Sequence, residues 1–434
     1  MPKYPVFFLL ASTLGFALGL ARGPVYGLMA YVFVYFNIPS NQWWGGYLPD
    51  LRWSFLSAGF LTFLMILHSG KLRKVSLSLS RPALYLVLLL LWMCIVVPFS
   101  YSPEDAWGRI YDFFRYVYIY ILIIMILSDL TRYRLFLYSL IFNFFYLSYL
   151  AHSSFGGGRL DGVGLADAND ANMFAALLLL IIPFLLQFLL NGSRRERIVS
   201  AVTFVMVVNA FMMCGSRGGF VGLFVEMLVF ALLTINRKNF VKFTALMCAV
   251  LACLFVLIDP DYKARLLSLG EATQEGTATE LSSGRADIWK SGIKMLHDYP
   301  MGTGGGGFMA LSPYYLEEGL IEQSVGRRAS HNTYLLILVE EGYVGMMIYL
   351  CFLLVSCKAL LDIRREIKRK QENELSKEQI FIHAQAVALL SSLVGFMGSS
   401  FFIDRIYFEC IYIFAALAEV IFFLHRQSVE HKPC

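Results

Sequence analysis

The chain has 434 residues, of which 58% are hydrophobic, 15% aromatic and only 15% charged, with a formal net charge of +5 and a mean hydropathy of +0.63. No ordinary soluble domain of this size reaches such values, so the composition excludes a soluble globular enzyme and implies an all-α polytopic membrane protein in contact with membrane lipids. The small positive charge gives no reason to expect a nucleic-acid partner.

Apolar runs approaching the length needed to cross a hydrocarbon layer of about 30 Å recur from end to end. In chain order they are 6–21, 25–38, 54–68, 82–97, 110–127, 135–151, 171–190, 198–214, 219–235, 240–258, 333–361, 380–402 and 406–424. The count is 12 or 13 transmembrane helices, because the first two runs are short and split only by Arg22-Gly23-Pro24, a helical-hairpin turn signal. The first run has a weak basic start and leads into further apolar sequence, so it reads as a retained helix rather than a cleaved signal. The eight cysteines fall mostly within apolar runs without metal-ligand spacing and read as buried thiols. The expected organisation is therefore transmembrane helices over 1–258, one large polar insert over 259–330 containing short amphipathic helices, C-terminal transmembrane helices over 331–424 and a tail over 425–434.

Basic clusters occur at Lys71, Arg73, Lys74 and Arg81, at Arg132 and Arg134, at Arg194, Arg195 and Arg197, at Arg237, Lys238 and Lys242, and through 358–377. Two apolar runs separate each cluster from the next, so all five share one side, which the positive-inside rule makes cytoplasmic. The loops 100–109, 152–170, 215–218 and 259–330 and the Asp404-Arg405 turn are then external. Every loop with an unusual polar signature lies on that face.

The first such loop carries Gly156-Gly157-Gly158-Arg159, then Asp167-Ala168-Asn169-Asp170-Ala171-Asn172 before an apolar run. Asp170 or Asn172 is explained by helix capping alone, whereas Arg159 on a flexible glycine tract beside a helix N-terminus suits an anion. The second is Cys214-Gly215-Ser216-Arg217-Gly218-Gly219. An arginine at a membrane boundary either snorkels or is paired, and Arg217 stands on the face where a positive-inside anchor is misplaced, which favours an anion site.

The third is the insert. In Ser282-Ser283-Gly284-Arg285-Ala286-Asp287-Ile288-Trp289, the apolar Ile288, Trp289, Ile293 and Leu296 predict a surface amphipathic helix capped by Ser282 or Ser283. Arg285 then falls in the first turn, where the macrodipole disfavours a cation unless an anion accompanies it. The run Gly302-Thr303-Gly304-Gly305-Gly306-Gly307 lacks the lysine of a phosphate loop and reads as a hinge or a close backbone contact. His331 follows Arg327-Arg328 and precedes Asn332 at a helix start; it is either a satisfied structural residue or a base on the same face as the arginines. Glu340 and Glu341 are costly if they face lipid, so at least one is expected to point inward.

Several arginines and one histidine, with no Asp-X-Asp motif, suit a diphosphate held by guanidinium forks without a metal or other cofactor. A diphosphate carried by a membrane lipid and linked to a sugar is the natural donor, and the chemistry is glycosyl transfer.

These motifs, taken in order, resemble the O-antigen ligase/polymerase superfamily of bacterial envelope glycosyltransferases. The resemblance runs from the Arg159 segment with Asp167-Ala168-Asn169, through Ser216-Arg217-Gly218-Gly219 and Gly284-Arg285-Ala286-Asp287-Ile288-Trp289, to His331-Asn332-Thr333-Tyr334-Leu335 with Glu341-Gly342 and Gly345. The N-terminal Asn37-Ile38-Pro39 and Trp43-Trp44-Gly45 are similar to ligase-like members associated with exosortase systems. The resemblance implies a C-type glycosyltransferase-like fold in the bacterial inner membrane, an undecaprenyl-diphosphate-linked glycan donor and metal-independent, inverting transfer on the periplasmic side. It implies that Arg217 and Arg285 hold the diphosphate and His331 activates the acceptor hydroxyl, with Arg159, Asp167, Asn169, Arg328 and Asn332 as further substrate contacts. Alanine at 168 stands where many relatives have proline. The acceptor is a lipid-linked glycan, such as a lipopolysaccharide core or a growing chain, or a protein; a transporter for lipid-linked sugars is the alternative from another class.

Overall fold

The computed structural model describes residues 3–72, 80–160, 163–165, 170–234, 241, 244, 277–316, 327–369, 375–404 and 406–430. The chain is an all-α membrane protein, and among the described residues eight helical stretches are long and apolar enough to cross a bilayer.

The helices are α1 Lys3–Arg22, α2 Pro24–Phe36, α3 Trp53–Leu67, α4 Arg81–Val96, α5 Pro103–Ile126, α6 Leu130–Ser154, α7 Ala171–Leu179, α8 Ile182–Asn191, α9 Arg194–Cys214 and α10 Arg217–Thr234. After them come α11 Thr277–Asp298, α12 Gly307–Tyr315, α13 Thr333–Lys368, α14 Lys377–Ser399 and α15 Glu409–Glu430. The run 240–258 lies outside the described residues apart from Val241 and Thr244. Local signals set several helix starts: Ser80, Asp129 and Asp170 each cap through a side-chain oxygen, and Ser193 with Glu196 and Ser376 with Gln379 form capping boxes. The run 171–190 is one candidate span built from two helices, with Pro183 in the first turn of the second.

At the N-terminus, Gly23 at φ 134° turns the chain so that α1 and α2 pack as a hairpin. Gly15 abuts Ala30 and Gly19 abuts the backbone of Gly27, the small-residue contact by which helices approach closely in lipid. At the centre stands α15, buried continuously from Glu409 to Ile421 and packed by α5, α13 and α14. Its two buried carboxylates accept tyrosine hydroxyls, Glu409 from Tyr31 at 2.7 Å and Glu419 from Tyr120 at 2.6 Å. Such pairing offsets part of the cost of a buried acid.

Two features position the site. The first is the crossing of α10 on α14, where a Cβ at Gly222 would lie 2.9 Å from the Gly395 carbonyl oxygen. This contact brings the N-terminus of α10 against the end of α14, with Gly218 on Phe402. The second is a break inside α13, where Gly342 takes φ 66° and ψ −171°. A break frees carbonyls that must find other donors. Val339 O accepts from Thr303 N, Glu340 O from Gly304 N and Glu341 O from Trp92 Nε1, at 2.9, 2.9 and 2.7 Å. The glycine run is thus the close backbone contact, seated in the break. Both Glu340 and Glu341 are buried, and the Glu340 carboxylate accepts from Gly306 N at 2.8 Å and from Tyr407 Oη at 3.2 Å.

A Cβ at Gly342 would meet Met301 carbonyl atoms at 2.7 Å in a backbone conformation that L residues rarely adopt. Gly342→Ala is therefore expected to cost on the order of 1–3 kcal/mol. Thermal unfolding of the purified protein in detergent measures it, and an unchanged midpoint contradicts the tight seating of the glycine run.

Candidate functional site

The insert departs from its sequence reading in one respect that matters. Helix α11 begins at Thr277, so Ser282 and Ser283 are interior residues rather than caps, and Arg285 lies about two turns inside instead of in the first. The residues 277–281 extend the helix upstream of the serines, and the macrodipole fades within the first turn, so it gives no reason for an anion at Arg285. The buried face also differs: Ile288, Ser291, Gly292, Met295 and Leu296 form it, at i, i+3, i+4, i+7 and i+8, while Ile293 is exposed.

That face lays α11 on α13 and α12. Trp289 Nε1 donates to the Ser330 carbonyl at 3.1 Å. Arg285 is one helical turn before Trp289, on the same side of α11, and so belongs beside the 330–332 segment. The segment itself is held by a residue that the sequence reading passed over. The Asp404 carboxylate accepts from His331 N at 2.9 Å and Asn332 N at 3.0 Å, and it also binds the Ser330 hydroxyl.

Under this clamp His331 adopts φ 49°, the one positive φ outside glycine among the described residues. A left-handed histidine is uncommon and persists only where its surroundings hold it. The side chain is half-buried, and among the described residues no hydrogen bond restrains its imidazole. Asn332 plays a structural part: its Oδ1 caps α13, accepting from Tyr334 N at 3.0 Å and Leu335 N at 3.1 Å. Arg328, half-buried, is tethered through its N–H to Ser312 Oγ of α12 at 2.8 Å.

The other half comes from the α9–α10 turn. Gly215 ends α9 in the left-handed conformation, and Ser216 accepts from Gly219 N at 3.0 Å, so Arg217 opens α10 with its side chain exposed. Arg159 docks on the same turn, with Nε donating to Cys214 O at 3.1 Å and Nη2 to Asn172 Oδ1 at 2.9 Å. Asn172 Oδ1 also accepts from Ser216 Oγ at 2.8 Å. Asp170 is the cap of α7, so Asn172 is released to join the arginine loop to the α9–α10 turn.

The arginines sense one another. Burial, and then the positive fields of Arg217 and Arg159, hold the Arg285 guanidinium below its ordinary value. Three cations brought together at some electrostatic cost form a place where an anion binds favourably.

Residues 201–350 match the family model described as O-antigen ligase. Through this segment the chain is similar to the O-antigen ligase/polymerase superfamily. No curated protein matches the chain significantly. The matched segment contains Arg217, Arg285 and His331, while Arg159 and Asp404 lie on either side of it in sequence and hydrogen-bond into it, at Cys214 and His331. Asp167 and Asn169, expected as substrate contacts, lie outside the described residues.

Asp404 and Asn172 were the residues missed. Asp404 is a lone acid in a two-residue turn between apolar runs, which is its only signal in the sequence. Asp404→Asn places an amide where backbone N–H groups now find oxygen. Turnover is expected to fall about 10- to 100-fold with the KM for donor retained, since the imidazole loses its placement rather than its chemistry. A loss of thermal stability without a change in kcat makes Asp404 a purely structural residue.

Proposed function

We propose that this protein moves a glycan from a lipid-linked diphosphate, of the undecaprenyl-diphosphate kind, to an acceptor hydroxyl at the external, periplasmic face of the bacterial inner membrane. The observation that carries the reading is the gathering of Arg159 and Arg217 about Arg285, which stands one helical turn from Trp289, the donor to the Ser330 carbonyl next to His331, whose backbone is clamped by Asp404. The family match over residues 201–350 supports ligase or polymerase chemistry, and the loop charges support the external face.

The His331 imidazole takes the proton of the acceptor hydroxyl. The oxygen attacks the anomeric carbon from the side opposite the diphosphate. A new C–O bond forms, the old one breaks, and its electron pair leaves on the diphosphate oxygen. Arg217 and Arg285, with Arg159 at the edge, stabilise the negative charge as it develops there, which is where fixed cations lower a barrier most. Displacement from the opposite side inverts the anomeric centre. The imidazolium then returns its proton to water, and no metal or cofactor enters the step.

Transfer to a lipopolysaccharide core or a related acceptor is the preferred reading; chain polymerisation and transfer to protein use the same chemistry with other acceptors. The test is reconstitution in proteoliposomes with labelled lipid-linked glycan. Label on lipid A-core or protein supports ligation to that acceptor, and lengthened carrier-linked glycan makes the protein a polymerase. Label that merely crosses the bilayer, with no new glycosidic bond, overturns the enzyme reading.

A further inference from the structure

A polar cleft of about 560 Å³ opens beside Arg159, between the 38–48 loop and the glycine tract after α6. It is of the size that small-molecule sites have. Its walls alternate apolar and polar surface: Trp43, Phe155 and Leu160 against Gln42, Ser154 and Arg159. Neither a lipid tail nor an inorganic ion matches that mixture, whereas a pyranose offers C–H faces to an aromatic ring and hydroxyl edges to amides and guanidinium.

The cleft is built rather than incidental. Trp44 is fully buried on Phe8, with ring centroids 5.6 Å apart, and this anchor turns the neighbouring Trp43 outward at 64% exposure. Tyr4 meets the Trp43 ring edge-on at 5.1 Å. Gln42 is buried, and its Nε2 donates to the carbonyls of Val163 and Gly164 at 3.2 and 3.3 Å, tying the two walls together. On the opposite side a Cβ at Gly156 or Gly157 would meet nothing within 4 Å among the described residues, so that wall is lined by glycine backbone. Arg159 belongs to both places: Nε and Nη2 are fixed to Cys214 and Asn172, while Nη1 has no partner among the described residues.

We propose that this cleft is a saccharide subsite, with Trp43 as the stacking platform and Arg159 as the hinge point between sugar and diphosphate. The proposal rests on the glycosyl-transfer reading for its substrate and names the surface that reads the sugar. Donor and acceptor glycans share this chemistry, and the experiment separates them.

Full-length protein in nanodiscs is titrated with three probes. They are undecaprenyl diphosphate, the lipid-linked glycan extracted from the producing cells, and the free glycan released from that lipid by mild acid. Trp43→Ala is expected to weaken binding of the glycan-bearing probes by about 3- to 10-fold while leaving bare undecaprenyl diphosphate unaffected, and Trp43→Tyr to restore it. If donor binding is unchanged but the KM for acceptor rises by that factor, the sugar in the cleft is the acceptor's. If neither changes, or Trp43→Ala only lowers thermal stability as loss of a membrane-interface anchor does, the subsite is overturned. The glycosyl-transfer reading fails separately, if bare undecaprenyl diphosphate does not bind or binds Arg217→Ala equally well.

Discussion

His331→Asn is expected to lower turnover by about 10² to 10⁴ while donor binding is retained, the range that loss of a positioned general base produces. Asparagine is the cleaner replacement. It tolerates the positive φ that Asp404 imposes at this position, whereas alanine there adds backbone strain to the loss of the base. His331→Ala is expected to fall at least as far, with some loss of thermal stability. Steady-state turnover on extracted lipid-linked glycan, with equilibrium binding of undecaprenyl diphosphate measured in parallel, separates chemistry from binding. Near-normal turnover in His331→Asn removes the imidazole from the mechanism, and a parallel loss of binding moves it to the donor site.

Arg217→Ala and Arg285→Ala are each expected to lower turnover by roughly 10² to 10³, comparable to removing one donor that faces developing charge. The lysine variants keep the charge but lose the planar fork, so they are expected to recover only part of it. If Arg217 and Arg285 hold one diphosphate together, their contributions are coupled. The double variant is therefore expected to lose less than the product of the singles. Arg217 is exposed, so its share weakens with ionic strength, and donor affinity measured across a salt series checks it. Full activity in Arg217→Lys contradicts bidentate recognition of the diphosphate.

The membrane architecture was legible because lipid enforces it. Apolar runs of spanning length and alternating basic clusters are direct readings of the solvent each segment meets. The arginines stood out for the same reason, since an arginine beside two glycines at a span boundary either snorkels or is paired, and Arg217 is read as paired. Elsewhere local pattern misled. Ser282 and Ser283 carry a capping signal that α11 overrides by starting at Thr277. Gly342 follows Glu340-Glu341 inside a run of spanning length, and only the φ of Gly342 and the docking of 302–307 show that α13 is broken there. Asn332, expected as a substrate contact, caps α13; of Asp170 and Asn172, either of which capping explained, Asp170 is the cap and Asn172 joins Arg159 to Ser216.

What the sequence by itself determined is the apolar character of the spanning segments and the chemical inventory of the loops between them: Arg159, Arg217, Arg285 and His331, with a polar insert among apolar helices. Both follow from composition and order along the chain, because transfer into lipid is decided residue by residue. Tertiary structure decided which of those groups meet. Asp404 lies 73 residues beyond His331, and Arg159 reaches the α9–α10 turn from 55 residues before it. Hydrogen bonds of about 3 Å across such separations depend on how α10 crosses α14 and how α11 lies on α13, and no local periodicity encodes them.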